Sequence, residues 1–129
     1  MSLRVYYEDT DFSGRVYHAS YLRFFERGRT EWLRAFGLRH NTFVEANQMT
    51  FAVTRLLVDF EAAAFIDDLL EIETELQARR GAVLNFRQRV AREGSALVNA
   101  AVDIVAIRGN RAVRPPREIL AALAAAIRA

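Results

Sequence analysis

One stretch of the chain, from residue 70 to 77, alternates strictly between residues that are apolar or Thr and residues that are Glu or Gln. Successive side chains of a β-strand point to opposite faces, so this alternation predicts a strand with one buried face. Neighbouring stretches of similar β character are separated by single glycines, which is typical of antiparallel hairpins. The five predicted strands cover residues 3–9, 51–62, 69–79, 82–92 and 96–108.

A different period appears between Ser20 and Phe36, where large apolar residues recur every three or four positions. This spacing predicts a long helix with a buried aromatic face, and Gly37 is a natural residue to end it. Pro115 and Pro116 precede an Ala- and Leu-rich stretch at 117–129, which predicts a terminal helix. One strand, a long helix and a run of strands together indicate an α+β fold, with an antiparallel sheet around the helix.

Composition narrows the class of protein. The 129 residues predict a single domain over 1–129, and no apolar run is long enough to predict a membrane span. The absence of cysteine and of a signal peptide favours a cytoplasmic protein. All 18 basic residues are Arg, spread along the chain with a net charge of +2, which argues against nucleic-acid binding and suits a small anionic ligand.

The segment "YYEDTDFSGRVYHAS", residues 6–20, places two aspartates and a histidine just before the predicted helix. Its ligand types and spacing do not match a zinc or calcium site, so no metal is expected. Ser20 or His18 could cap the helix, but Asp11 lies too far upstream for that role. A carboxylate beside a helix N-terminus can instead attack, or activate water toward, a carbonyl that the free N–H groups polarise.

The longer stretch "YYEDTDFSGRVYHASYLRFFERGRTEWLR" closely resembles the opening of the 4-hydroxybenzoyl-CoA thioesterase-like hotdog family, and most of all its YbgC-type, Tol–Pal-associated branch. This resemblance implies the hotdog fold, a five-stranded antiparallel sheet wrapped around a long central helix. It also implies hydrolysis of acyl-CoA thioesters without a metal or other cofactor. It further implies homodimers with paired sheets, assembling into homotetramers.

The resemblance also assigns roles to residues of the motif. The catalytic carboxylate of the family corresponds to Asp11, as nucleophile or general base, and the histidine of the branch corresponds to His18. The backbone N–H groups around His18 and Ala19 correspond to the donors that bind the thioester carbonyl. Phe12 and Ser13 stand where small residues are common in the family, and Gly28 stands where Ala is usual.

Other positions are expected to bind substrate or compete for the catalytic role. Gly14 would supply a backbone conformation or a close approach that a side chain prevents. Glu26, on the predicted helix, is the rival carboxylate, although nearby arginines favour an ion pair there. The remaining candidates for substrate binding are three tyrosines that could line the pocket and two arginines that could contact CoA phosphates: Tyr7, Tyr17, Tyr21, Arg79 and Arg80.

Several functions remain open at this point. The leading hypothesis is hydrolysis of short- or medium-chain, or aromatic, acyl thioesters of CoA or of acyl carrier protein. The alternative is a hotdog module that binds acyl-CoA or a partner protein without turnover, which a pocket blocked by Phe12 would favour. A hotdog dehydratase is less consistent with the motif, because that branch needs a different arrangement of His and acid.

Overall fold

The structure, a computed structural model, describes residues 1–37 and 49–127. Within these residues, the predicted succession of strand, long helix, strands and terminal helix is confirmed. A short 3₁₀ turn at Tyr7–Asp9 follows the first strand. The strands are β1 (Ser2–Arg4), β2 (Thr50–Phe60), β3 (Leu69–Arg80), β4 (Val83–Arg92), β5 (Ser95–Arg108) and β6 (Arg111–Val113), and the helices are α1 (His18–Ala35) and α2 (Arg117–Ile127).

The strands form one antiparallel sheet in the order β1-β3-β4-β5-β2, with the short β6 paired to β5. The hairpins β3–β4 and β4–β5 are the ones that the single glycines predict. The expected five strands are therefore present, and β6 is a three-residue addition that the sequence did not indicate. The terminal helix also agrees, except that residues 128–129 of its predicted range lie outside the described residues.

The first strand is shorter than expected, because residues 5–9 do not continue it despite their β-forming side chains. The carboxylate of Asp9 accepts a hydrogen bond from the Tyr6 N–H at 2.9 Å, which favours a 3₁₀ turn over an extended strand. Asp9 is buried, so this local bond is part of the folded core. The prediction of a strand over 3–9 is thus wrong beyond Arg4.

Helix α1 crosses the inner face of the sheet and provides much of the core. Phe24 and Phe25 are fully buried, together with Ile72 and Phe86 of the sheet. Burial of side chains of this size is the main favourable contribution to folding. The predicted buried face is confirmed at Tyr21 and Phe25, whereas Leu22 and Phe36, which share the predicted spacing, are exposed.

Gly28 marks the closest approach of α1 to the sheet. A Cβ built at this position would lie 2.8 Å from Ile72 Cγ2, 2.9 Å from Thr74 Oγ1 and 3.0 Å from Gln88 Nε2. The buried Gln88 amide donates to Phe25 O and to Thr74 Oγ1, both at 2.9 Å. This contact fixes the position of α1 on β3 and β4.

The opposite side of the sheet, here called the outer face, carries the polar half of each alternating strand. Glu73 and Glu75 of β3 lie on it, opposite Arg89 and Arg87 of β4. Strand β2 ends the sheet, and its outer edge pairs with no strand among the described residues. Four of its apolar side chains are between 40% and 53% exposed: Val53, Leu56, Leu57 and Phe60.

Candidate active site

A tight hairpin holds Asp11 at the surface beside the start of α1. The Asp11 N–H donates to Arg15 O at 2.9 Å, and the Gly14 N–H donates to Asp11 O at 3.1 Å. Thr10 and Val16 pair across the hairpin as an isolated bridge. Gly14 has a φ of +84° and open space where a Cβ would lie, so glycine serves the left-handed conformation rather than a close approach.

Ser13 fixes one oxygen of the Asp11 carboxylate. Its backbone N–H donates to Oδ1 at 2.8 Å, and its hydroxyl donates to the same atom. The hydroxyl bond, followed by the N–H bond, lowers the pKa of Asp11 below its ordinary value, and the charges of Arg15 and His18 contribute less. Asp11 is exposed, and its lowered pKa means that it is ionised at neutral pH. Both bonds from Ser13 go to Oδ1 rather than to Oδ2.

Helix α1 begins at His18, with Tyr17 as its N-cap residue and no side chain capping it. The expectation that Ser20 or His18 acts as the cap is wrong, because both lie inside the helix. The Ser20 hydroxyl is buried and donates instead to Asp9 O at 3.1 Å, tying the helix to the segment before the hairpin. Within the described residues, no hydrogen bond satisfies the first N–H groups of α1, those of His18 and Ala19.

An aromatic wall, defined here as Tyr17, His18, Tyr21 and Phe60, runs from the helix start to the end of β2. The His18 ring lies 4.4 Å from that of Tyr17 and 6.5 Å from that of Phe60. The Tyr21 ring lies 5.8 Å from that of Phe60. The wall gives an apolar surface next to free N–H donors, which suits an acyl group attached to a polar carbonyl.

Tyr21 is the most buried member of the wall, at 3% exposure. Its hydroxyl accepts a hydrogen bond from the Ala64 N–H at 3.1 Å, and burial raises the pKa of the phenol above its ordinary value. Tyr7, by contrast, is 81% exposed, and Phe12 is fully exposed. Phe12 therefore closes no pocket within a single chain.

The other carboxylates of this region have different surroundings. Asp9 is buried and lies 3.8 Å from the Arg23 guanidinium. Glu26 is exposed on α1 and lines a surface depression with Met1, Arg23 and Arg27. Unlike Asp9 and Glu26, Asp11 is an exposed carboxylate that the hairpin positions beside the start of α1.

The two arginines expected to contact CoA do not lie near Asp11 in the same chain. Arg79 and Arg80 lie at the end of β3. The Asp11 hairpin instead pairs through Arg15 with Phe65, just before β3 begins. Twelve residues of extended strand span roughly 35 Å, so the two sites lie toward opposite ends of the sheet. Arg79 also donates to Gly81 O at 2.9 Å.

Two features of the site, the contacts of Ser13 and of Phe60, could not be predicted from the sequence. In the sequence Ser13 is only a departure from the small residues common in the family, yet in the structure it holds the carboxylate. Phe60 reaches the helix start only because the sheet curls around α1, and its sole signal is its place at the end of a predicted strand. Residues 1–37 and 49–127 contain no group of three or more His, Cys, Asp or Glu side chains that could hold a metal.

Comparison with known proteins identifies the family to which this chain belongs. The sequence profile of the thioesterase superfamily matches residues 13–99, which include His18 and the aromatic wall but begin after Asp11. The chain therefore belongs to the thioesterase superfamily. In the part of the chain that the structure describes, no helix is both long and apolar enough to cross a bilayer.

Individual relatives cover almost the whole chain. It is 45% identical over 122 residues to the acyl-CoA thioesterase YbgC of Haemophilus influenzae, covering 93% of this chain and 90% of that protein. It is 41% identical to the acyl-CoA thioester hydrolase YbgC of Escherichia coli, covering 92% and 90%. The crystal structure of a probable thioesterase from Bartonella henselae is 39% identical, with a TM-score of 0.87 over 90% of this chain and 97% of that one. These relatives confirm the hotdog thioesterase fold.

Proposed function

We propose that this protein is an acyl-CoA thioesterase in which Asp11 acts on a thioester held at the N-terminus of α1. The observation that carries the proposal is the juxtaposition of an ionised, exposed carboxylate with an uncapped helix start. The names of the YbgC relatives support the same chemistry. Short- or medium-chain and aromatic acyl groups are the proposed substrates.

The reaction needs two contributions from this chain. The N–H groups of His18 and Ala19 donate to the thioester oxygen and stabilise the negative charge that develops on it. Asp11 removes a proton from a water molecule, which attacks the carbonyl carbon. The C–S bond then breaks, the CoA thiolate leaves and takes up a proton, and the acid is released.

A covalent route uses the same groups. The Asp11 carboxylate attacks the carbonyl carbon, expels the thiolate and forms a mixed anhydride, which water then hydrolyses. With Oδ1 bonded to Ser13, Oδ2 is the oxygen expected to react on either route. His18 orients the substrate or assists the leaving thiolate.

Dimerisation through β2 would complete the site. Among the described residues, the outer edge of β2 pairs with no strand, and its exposed apolar side chains are features of a strand that pairs with a second copy. Two-fold antiparallel pairing of β2 sets the Phe60 end of one strand beside the Thr50 end of the other. The β3–β4 hairpin of the second copy, with its arginines, then lies at the Asp11 end of the first. Two such dimers form the proposed homotetramer.

Two parts of the proposal concern the ligand rather than the chemistry. Acyl carrier protein is the alternative carrier of the thioester, and it presents the same carbonyl to Asp11. A non-catalytic acyl-CoA-binding module is the second candidate function. The exposed position of Phe12 leaves Asp11 accessible and favours the enzyme. A cytoplasmic location stays a prediction.

The test is release of free thiol from a panel of acyl-CoA and acyl carrier protein thioesters. Asp11→Asn keeps the shape of the side chain and removes its charge and basicity, so kcat should fall at least about a hundredfold. Glu26→Gln is the matched control, because it neutralises the rival carboxylate on α1 and should retain activity. Full activity in Asp11→Asn with loss in Glu26→Gln would transfer the role to Glu26. Binding of acyl-CoA without hydrolysis by wild type would favour the binding module.

A further inference from the structure

The turn that precedes β3 is bonded to both halves of the candidate active site. It covers residues 63–68 and is here called the anchor turn. From the Asp11 hairpin, the Val16 N–H donates to Ala64 O at 2.8 Å. The Ala64 N–H in turn donates to the Tyr21 hydroxyl, one turn into α1, at 3.1 Å. The hairpin that carries Asp11 and the first turn of the helix therefore meet at one fully buried residue of the anchor turn.

Phe65 adds a second contact between the anchor turn and the hairpin. It pairs with Arg15 as an isolated antiparallel bridge, and the Arg15 Cζ atom lies 5.8 Å from the centre of its ring. A guanidinium at this distance from an aromatic ring is attracted by a cation–π interaction. After the bonds from Ser13, the charge of Arg15 also lowers the pKa of Asp11. The anchor turn thus holds a charged neighbour of the carboxylate as well as its backbone.

The anchor turn includes an unfavourable backbone conformation. Asp67 has a φ of +71°, in the left-handed region that residues other than glycine rarely adopt. Such a conformation persists where surrounding contacts determine it. Here the Asp67 N–H donates to Val5 O at 3.0 Å, and the Arg4 guanidinium donates to Asp67 O at 2.9 Å. The shape of the turn therefore depends on bonds to other parts of the chain.

Asp68 and Arg92 close the anchor turn and tie it to β4. One oxygen of Asp68, Oδ2, accepts from the Phe65 N–H at 2.9 Å and from the Arg92 guanidinium at 2.7 Å. Arg92 also donates to Ala63 O at 3.2 Å. Burial raises the pKa of Asp68, but the bonds from Phe65 and Arg92 outweigh it and leave the pKa below its ordinary value. Asp68 is therefore ionised at neutral pH and pairs with Arg92 as a carboxylate.

A second ion pair between the same strands provides a comparison. Glu73 of β3 pairs with Arg89 of β4 on the outer face, as Asp68 just before β3 pairs with Arg92. The Glu73 side chain is 50% exposed, whereas that of Asp68 is 24% exposed. Within residues 1–37 and 49–127, neither Glu73 nor Arg89 forms a hydrogen bond with the anchor turn. The two pairs therefore differ in whether they are connected to the candidate site.

We propose that Asp68 and Arg92 are positioning residues for Asp11. Their ion pair fixes the anchor turn, and the anchor turn fixes the Asp11 hairpin against the start of α1. A displacement of a catalytic group by about 1 Å can lower the rate about a hundredfold, so this attachment affects kcat. The effect on catalysis rests on the proposed function, whereas the attachment of the hairpin does not.

The first experiment measures the attachment without turnover. Amide hydrogen exchange, resolved by residue with NMR, compares wild type with Asp68→Asn. This variant keeps an acceptor for the Phe65 N–H and removes the charge that pairs with Arg92. Exchange of the hairpin amides should become about tenfold faster, because a hydrogen bond between charged groups is lost. Amides in the middle of α1 should exchange as in wild type.

Two further variants complete this experiment. Arg92→Gln leaves the bond between Asp68 and the Phe65 N–H in place, so it provides the test even if Asp68→Asn does not fold. Glu73→Gln breaks the comparison pair and should leave the hairpin unchanged. Thermal unfolding establishes that each variant folds. Unchanged exchange of the hairpin would overturn the positioning role, and so would faster exchange throughout the chain, which indicates a general loss of stability.

The second experiment measures thioester hydrolysis. In Asp68→Asn and Arg92→Gln, kcat should fall about tenfold to a hundredfold with little change in KM, because the groups that contact the substrate remain. Arg92→Lys keeps the positive charge and should recover most of the loss. Glu73→Gln should match wild type. Equal kcat in all of these variants would overturn the positioning role.

A double-mutant cycle separates positioning from a general structural effect. In the Asp11→Asn background, Asp68→Asn should cause little further loss, because the group that it positions is already absent. Losses that multiply would show that Asp68 acts independently of Asp11 and would overturn the inference. If wild type hydrolyses no thioester, the proposed function fails, and hydrogen exchange still decides whether the ion pair holds the hairpin. The two failures are therefore distinguishable.

Discussion

Replacing Gly28 by Ala tests whether the closest contact between α1 and the sheet limits stability. Helix propensity alone predicts that this change stabilises the protein by up to about 1 kcal/mol, since Gly is unfavourable inside a helix. The structure predicts the opposite sign. The new methyl group would lie within 2.8–3.0 Å of three side-chain atoms, closer than van der Waals contact allows.

The size of the expected destabilisation depends on whether the three crowded side chains can move away from the new methyl group. Ile72 and Gln88 are 2% and 4% exposed, so neither side chain can move into solvent. Displacing Gln88 also disturbs its bond to Thr74. Overpacking of this kind costs roughly 1–3 kcal/mol, which outweighs the propensity gain. We expect a net loss of about 1–2 kcal/mol in the free energy of unfolding.

The assay is urea unfolding at a fixed protein concentration, followed by the fluorescence of Trp32. Trp32 is the single tryptophan, and its ring lies 5.1 Å from that of Phe86, so it reports on this contact. Thr30→Ala, on the exposed side of α1, is the matched control and should gain a few tenths of a kcal/mol. Should Gly28→Ala stabilise the protein as Thr30→Ala does, the contact does not restrict the helix.

A double-mutant cycle identifies the cause. Gln88→Ala removes one of the three crowding atoms, so Gly28→Ala should cost less in that background. A coupling free energy of at least about 0.5 kcal/mol is expected for residues in contact. Additive effects of the two changes would mean that crowding against Gln88 is not the reason for the loss.

Two further predictions concern the site. Ser13→Ala removes the hydroxyl bond that does most to lower the pKa of Asp11, so that pKa rises and the acid limb of the kcat/KM–pH profile moves to higher pH; a limb that stays in place would refute the role of Ser13. Tyr21→Phe leaves the buried Ala64 N–H without its acceptor and should lower the free energy of unfolding by about 1–3 kcal/mol in urea. The exposed Tyr7→Phe should change it by less than about 0.5 kcal/mol, and equal effects of the two would contradict this reasoning.

The sequence predicted those parts of the fold in which the local pattern and the tertiary structure agree. Strand β3 follows its alternation because one face meets α1 and the other meets solvent. The early end of β1 could not be predicted, because Asp9 bonds to the Tyr6 N–H and overrides the β propensity of residues 5–9. The crowding around Gly28 could not be predicted either, since spacing along a helix gives no information on how closely a sheet approaches.

The sequence motif proposes the residues of the candidate site but gives no information on their contacts. The motif predicts Asp11, Gly14 and His18 as site residues, and the structure places all three near the start of α1. The bond from Ser13 depends on the turn that the hairpin adopts, and the approach of Phe60 depends on the curl of the sheet. Neither can be derived from residue types alone.

The residues proposed to react and the residues that hold them differ in burial. Asp11 and His18 are exposed, whereas Asp9, Ser20 and Gln88 are buried and hydrogen-bonded. Ser20 ties the start of α1 to the chain that leads into the hairpin, and Gln88 ties the middle of α1 to the sheet. Because the buried Ser20 hydroxyl bonds to Asp9 O, the start of α1 is tied to the chain two residues before the exposed Asp11. This arrangement supports the proposed reactive residues without the cost of burying their charge.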